Sequence, residues 1–396
     1  MFTSLIVALT LVGCQDFTSL EEACHDVVPG EGSINNADSV NGLGRVNCYR
    51  RLAGLGRGRV QKHAQAAVES HVKYVEANQP DFDRVEFEQS TVPGYTGYDV
   101  FDRLDAADYV FDNTAFDMGL WEFSFSYPAE VFTGMPDMID YLAADPYTRQ
   151  IFLQPSWLAS GLATSTYEPE FGIDFMNLVV VYEYPATQRA ENPVVYPKDG
   201  QVQVPTSHLV DDPTDPLCGQ LVGYPITITV GSNLAPRGGL GASNPYGLEV
   251  LNAGLHGPDG PIPVDVRAPG DTDRAGTGLV YTVAITPKEE LSPGAEYTMD
   301  AAIKWIDGDK DVSATFRTAS AAPDLGDPAD VFCIEDFVTT TTDPTPGGGT
   351  GGGTGSSTST TTTTGTGTGS GTGGGTEPGL FRINTGLTRV PGARVD

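Results

Sequence analysis

With 396 residues, the chain has room for about two domains of ~150 residues plus loosely structured ends. Its formal net charge of -30 and isoelectric point near 4.2 argue against nucleic acid and anionic membrane surfaces as partners, because both would repel it. Its 48 glycines and 29 prolines, against 19% charged residues, suit loop-rich extracellular β structure better than a helical bundle.

The chain begins with an apolar run, Leu5 to Val12, that ends Leu11-Val12-Gly13-Cys14. This has the form of a bacterial lipoprotein signal with its lipobox, although Met1 to Ser4 carry no basic residue. Residues 1–14 are therefore expected to be the signal, with Cys14 lipidated, and residues 15–38 a short acidic tether. The five cysteines are Cys14, Cys24, Cys48, Cys218 and Cys333, and none are spaced for Cys-x-x-Cys zinc or redox chemistry. That favours structural disulfides in an oxidising compartment. With Cys14 set aside three pairings are open; Cys24–Cys48 with Cys218–Cys333 is favoured because each bridge then stays in its own domain.

Asn47-Cys48-Tyr49-Arg50-Arg51-Leu52-Ala53-Gly54-Leu55 reads as a helical turn closed by glycine. The spacing predicts a helix from about Val60 to Asn78, with Ala64, Ala67, His71 and Tyr74 inward and Lys62, Gln65, Glu69, Lys73 and Glu76 toward water. His63 falls on the water side. His71 lies on the apolar stripe and reads as a satisfied core histidine, since it has no second metal ligand at i+4. An Asn-x-Tyr-Arg-x-x-x-Gly-Leu opening, followed by Ala-x-x-x-x-His-x-x-Tyr, resembles the CAP superfamily (cysteine-rich secretory proteins, antigen 5 and pathogenesis-related proteins) in its bacterial secreted branch. The likeness continues to about Pro185 and implies an α-β-α sandwich over residues 39–186.

Next come Glu86-Phe87-Glu88-Gln89, Pro93-Gly94-Tyr95-Thr96-Gly97 and Asp102-Arg103-Leu104. The resemblance implies a histidine near the first, and Phe87 or a neighbour occupies its place. Glu122, in Leu120-Trp121-Glu122, fits the glutamate that the family presents to the same cavity. Met135 to Ala144 has helical spacing, and after it Thr148 stands where the family shows a second histidine. The resemblance thus implies a degenerate cavity at Phe87, Glu122 and Thr148, with no catalytic residue, metal or cofactor. Glu122, left without a cationic or metal partner, is expected to titrate upward if desolvated. The run from Leu178 to Tyr184 suits a buried strand of the central sheet.

Residues 187–193 read as a linker, and short strands with turns between them follow. Over 194–335 they suggest a β-sandwich, and Leu291-Ser292-Pro293-Gly294-Ala295-Glu296-Tyr297-Thr298 with Phe316-Arg317-Thr318 resembles a bacterial immunoglobulin-like domain. Asp307-Gly308-Asp309-Lys310-Asp311 resembles half of a calcium loop but lacks its glycine and closing glutamate, so a hairpin turn explains it. Residues 336–376, largely Thr, Gly and Ser, form a solvated linker open to O-glycosylation. Residues 377–396, with Arg382, Arg389 and Arg394, read as a disordered tail.

The expected fold class is thus α+β: a CAP-like α-β-α sandwich, then an all-β Ig-like sandwich and a disordered C-terminal tail. No Gly-x-Ser-x-Gly elbow, His-Glu-x-x-His or phosphate loop is present. The favoured function is a secreted protein of the bacterial cell envelope, on the outer membrane or surface-exposed, that binds an extracellular ligand or envelope partner and touches membrane only through its N-terminal lipid. A metal-assisted hydrolase and a lipid or sterol carrier are the alternatives the resemblance allows.

Overall fold

The computed structural model describes residues 17–25, 37–78, 88–110, 117–128, 132, 134–155, 157–167, 173–184, 193–211, 215, 217–231, 244, 246–270 and 278–323. The first half holds α1 (Leu20–Cys24), α2 (Ala37–Leu52), α3 (Lys62–Asn78), α4 (Val100–Ala106), β1 (Asp117–Pro128), α5 (Met135–Ala144), α6 (Pro146–Phe152), β2 (Trp157–Tyr167) and β3 (Ile173–Tyr184). The three strands form one antiparallel sheet in the order β1-β3-β2. The β-branched run in β3 therefore lies at its centre. Leu162, Met176 and Leu178 join a core with α2 and α5, whereas the alternate residues Ala163 and Val179 join α3 and α4. Helices thus cover both faces of the sheet, and β2 and β3 each bury side chains on both sides.

α2 starts at Ala37, well before the turn expected at Asn47. Gly42 and Gly44 weaken the local helical signal. A Cβ at position 42, however, would collide with Met135 and Leu162, so glycine there lets α2 lie close on α5 and the sheet. Packing outweighs propensity. Gln65, expected in water, is buried. Its amide accepts from Leu162 N and donates to Leu162 O, each at 3.0 Å, covering the outer edge of β2 as a neighbouring strand would. Next to it, Gly161 leaves room for the backbone of Ala64, so α3 rests directly on the strand. A disulfide joins Cys24 of α1 to Cys48 of α2, with Cα atoms 4.7 Å apart.

The second half contains β4 (Val194–Tyr196), β5 (Gln201–Val204), β6 (Ser207–Leu209), β7 (Leu221–Gly223), β8 (Ile226–Thr229), β9 (Glu249–Gly257), β10 (Gly260–Ile262), β11 (Val264–Arg267), β12 (Thr282–Pro287), β13 (Glu296–Trp305) and β14 (Gly308–Thr318). They form a five-stranded sheet, β10-β9-β13-β14-β5, a four-stranded sheet, β11-β12-β8-β4, and the hairpin β6-β7. Pairing is antiparallel except between β14 and β5. In β13, Tyr297, Met299, Ala301, Ile303 and Trp305 alternate inward, the period-2 pattern of a half-buried strand. Ile306 and Asp307 form the hairpin turn between β13 and β14, with Trp305 opposite Gly308. The described residues are thus α+β, with helices and several antiparallel or mixed sheets.

The two halves share one continuous core. β8 and β12 are buried along their whole length, on both faces. Their Ile and Val side chains enter that core, while Ala284 packs with Leu279 and with Tyr147 of α6. The threonines between them find partners: Thr229 bonds Thr282 at 2.8 Å, and Thr227 donates to Tyr196 O at 3.4 Å. Arg149, fully buried in α6, donates to Ala143 O, Ala144 O and Pro225 O at 2.5, 2.8 and 2.6 Å. Its guanidinium also lies 5.1 and 4.7 Å from the ring centres of Tyr196 and Tyr224. Arg267 of β11 donates to Tyr147 Oη and Asp215 Oδ2, both at 2.7 Å. At the N-terminal end Val202 N donates to Thr18 O at 2.8 Å, so the α1 segment touches both halves. Most of the expected linker, 187–193, lies outside the described residues, as do the Thr/Gly/Ser tract and the tail.

Candidate functional site: a buried charged cluster under α3 and α4

A histidine, an arginine and two carboxylates meet on the α3 face of the three-stranded sheet. α3 supplies His71, the segment after it Glu88, α4 Arg103 and β1 Glu122, and all four are buried. α4 is placed by Asp99, whose side chain caps the helix by accepting from Asp102 N at 3.0 Å. Val100, Arg103 and Leu104 fall on its inward i, i+3, i+4 stripe, which carries the guanidinium inside. Arg103 Nη2 donates to Glu122 Oε1, which also accepts from Asn177 Nδ2 at 2.9 Å. Glu122 lies opposite Val179 in the β1–β3 register, and so points to the α3 side of the sheet.

Glu88 is the hub of the other pair. His71 Nδ1 meets its Oε1 at 3.0 Å, while the backbone N–H groups of Thr96 and Gly97 donate to Oε2 at 2.5 and 3.2 Å. The Thr96 hydroxyl bonds the same carboxylate at 3.1 Å. The Pro-Gly-Tyr-Thr-Gly turn is therefore wrapped on a buried anion. Burial pushes the Glu88 carboxyl up, but the bonds from His71 and Thr96 and the Arg103 charge outweigh it and hold it below the usual carboxylate range. Burial and the Arg103 charge push His71 down, against its bond to Glu88. The physical state at neutral pH is a neutral imidazole donating through Nδ1 to an ionised Glu88.

Of the residues expected at one cavity, Glu122 and Thr148 lie on opposite sides of the sheet. Phe87 lies outside the described residues. Thr148 is buried in α6, where its hydroxyl bonds Leu142 O and the Asp145 side chain, a local cap in the layer on the other side of the sheet. Glu122 does not lack a cationic partner, because Arg103 from the Asp-Arg pair supplies one. The expectation of an unpaired carboxylate is corrected accordingly. His63 is half-buried and donates through Nδ1 to Ala107 O at 2.6 Å, tying α3 to the end of α4. What the motif reading missed was Glu88. Its signal was present: His71 and Arg103 both fall on inward helix stripes, and a buried guanidinium and imidazole N–H call for nearby acceptors.

Among the described residues no three of His, Cys, Asp and Glu come together to hold a metal ion, and no helix is long and apolar enough to cross a membrane. Cys14 and Cys333 lie outside the described residues, whereas Cys218 is disulfide-bonded. No family model matches the chain, and a search of curated proteins finds no match either.

Proposed function

We propose that the chain is an envelope protein of the CAP type joined to a bacterial Ig-like sandwich, lipid-anchored through Cys14 and acting by binding an extracellular ligand or envelope partner. Helices on both faces of an antiparallel sheet, in chain order with the motifs quoted above, support the first resemblance. Two sheets that share a core and are antiparallel except at the β14–β5 pair support the second. The Cys218–Cys333 bridge belongs to the same proposal.

One observation carries the choice of binding over hydrolysis: the carboxylates of the cluster are already spoken for. Glu122 is held by Arg103 and Asn177, and Glu88 by His71, Thr96 and Gly97. A general base or metal ligand needs a lone pair directed at the reacting group, and these point into the protein. Zinc titrated into the whole protein by calorimetry is expected to give no specific heat. Tight zinc uptake that vanishes in Glu122→Gln would reverse the assignment. Substituting Cys14→Ser is expected to release the protein from membranes, and retention of the variant there would defeat the lipid anchor.

A further inference from the structure

A second feature of α3 is separate from the cluster. A groove of about 280 Å³ lies between the first turn of α2, α3 and β2, with Ser39, Glu69, Lys73 and Glu76 around Val72 and Ala163. Ser39 is fully buried and its hydroxyl has no hydrogen-bond partner. Burying a hydroxyl in that condition costs on the order of 1–3 kcal/mol, which a bound polar group would recover.

The charges around it have both signs. Ser39 sits in the first turn of the sixteen-residue α2, where the helix dipole is partially positive, and Lys73 adds a full positive charge. Glu69 and Glu76 lie about one turn on either side of Lys73 along α3. Glu69 accepts a bond from Gln65 at 3.0 Å, while Lys73 and Glu76 are exposed and form no ion pair among the described residues. A monovalent ion would use only one sign of this lining, and an apolar ligand neither.

We propose that the groove binds a small zwitterion, a free amino acid, with its carboxylate toward Ser39 and Lys73 and its ammonium toward Glu69 and Glu76. This deepens the binding role assigned above and rests on it. The zinc experiment tests that role at Glu122, so the two can fail separately.

Calorimetry on the whole protein with glycine, L-alanine, L-lysine and L-glutamate is the direct test. At least one is expected to bind saturably. N-acetylating that amino acid or converting it to its amide should each weaken binding about tenfold or more, the equivalent of ~1.4 kcal/mol. Lys73→Met, at an exposed site, should do the same with the unliganded melting temperature nearly unchanged, and Ser39→Ala should do the same while raising that temperature, because the unpartnered hydroxyl is gone. The proposal is overturned if none of the four binds at millimolar concentration, if the blocked forms bind equally well, or if both variants retain full affinity.

Discussion

The cluster under α3 and the junction at Arg149 both bury arginine, and they neutralise it differently. Arg103 faces a carboxylate, Glu122, with Glu88 close enough to feel its charge. Arg149 is held instead by three carbonyl oxygens and two tyrosine faces, its hydrogen bonds divided between α5 and the residue before β8. An ion pair can be removed as a unit, whereas a cation spread over backbone dipoles cannot, because its acceptors belong to the main chain. The first arrangement fixes side chains within one half of the molecule. The second makes the fold of one half depend on the other.

Breaking the ion pair on one side is the strongest test of this difference. Glu122→Gln leaves Arg103 buried without its countercharge and is expected to lower unfolding free energy by about 3–5 kcal/mol in chemical denaturation. The double change Arg103→Met and Glu122→Leu should recover most of that loss, as replacing both partners is often near neutral. If the double variant is as unstable as the single one, the pair is not a separable unit.

Arg149→Met should cost somewhat less, about 2–3 kcal/mol, because three carbonyls lose a donor while the cost of burying a charge is also relieved. Both halves should still unfold in a single transition. Two separated transitions in the native protein would contradict the shared core.

An effect that builds up gradually, over several pH units, is expected in acid. Burial, helped by the charge of Arg149 and opposed by Asp215, lowers the His208 pKa from 6.5 to about 3. Its folded state therefore resists a proton that the unfolded chain accepts, so stability is full above pH 6.5 and lost as pH falls toward 3. His71 acts in the same direction below pH 6.5, and Glu88 begins to contribute only below about 4.5. His208→Gln should flatten stability against pH between about 6 and 4 by roughly 1.4 kcal/mol per pH unit, one proton's worth. An unchanged slope would mean that the junction contributes nothing to acid sensitivity.

Strong local patterns made much of the architecture legible in the sequence. The 3.6-residue stripe of α3, the bounds of α5 and the β-branched run in β3 correspond to elements of the fold. α2 was less legible because Gly42 earns its place through contact with Met135 and Leu162, residues distant in sequence. In β8 Ile226 and Ile228 alternate with Thr227 and Thr229, and both sets are buried because small hydroxyls can bond one another or a nearby carbonyl. At the candidate site, the motifs led to Glu122 and Arg103 separately without pairing them. Thr148 was tied to the cavity by the resemblance alone, and its bonds to Leu142 and Asp145 depend on the local course of α6.

The short α1 segment also has a mechanical meaning. Tension applied from the N-terminal side would reach the Thr18–Val202 hydrogen bond before the covalent link between Cys24 and Cys48. The first contact resists by a few weak bonds and can detach. The second diverts the load into α2, whose arginine side chains hold the same strap: Arg51 donates to Ala23 O and His25 O, and its guanidinium stacks over Phe17 at 4.0 Å. A pull on this end would thus peel the strap from the β-rich half first, and would unravel nothing beyond Cys24 until α2 itself gave way.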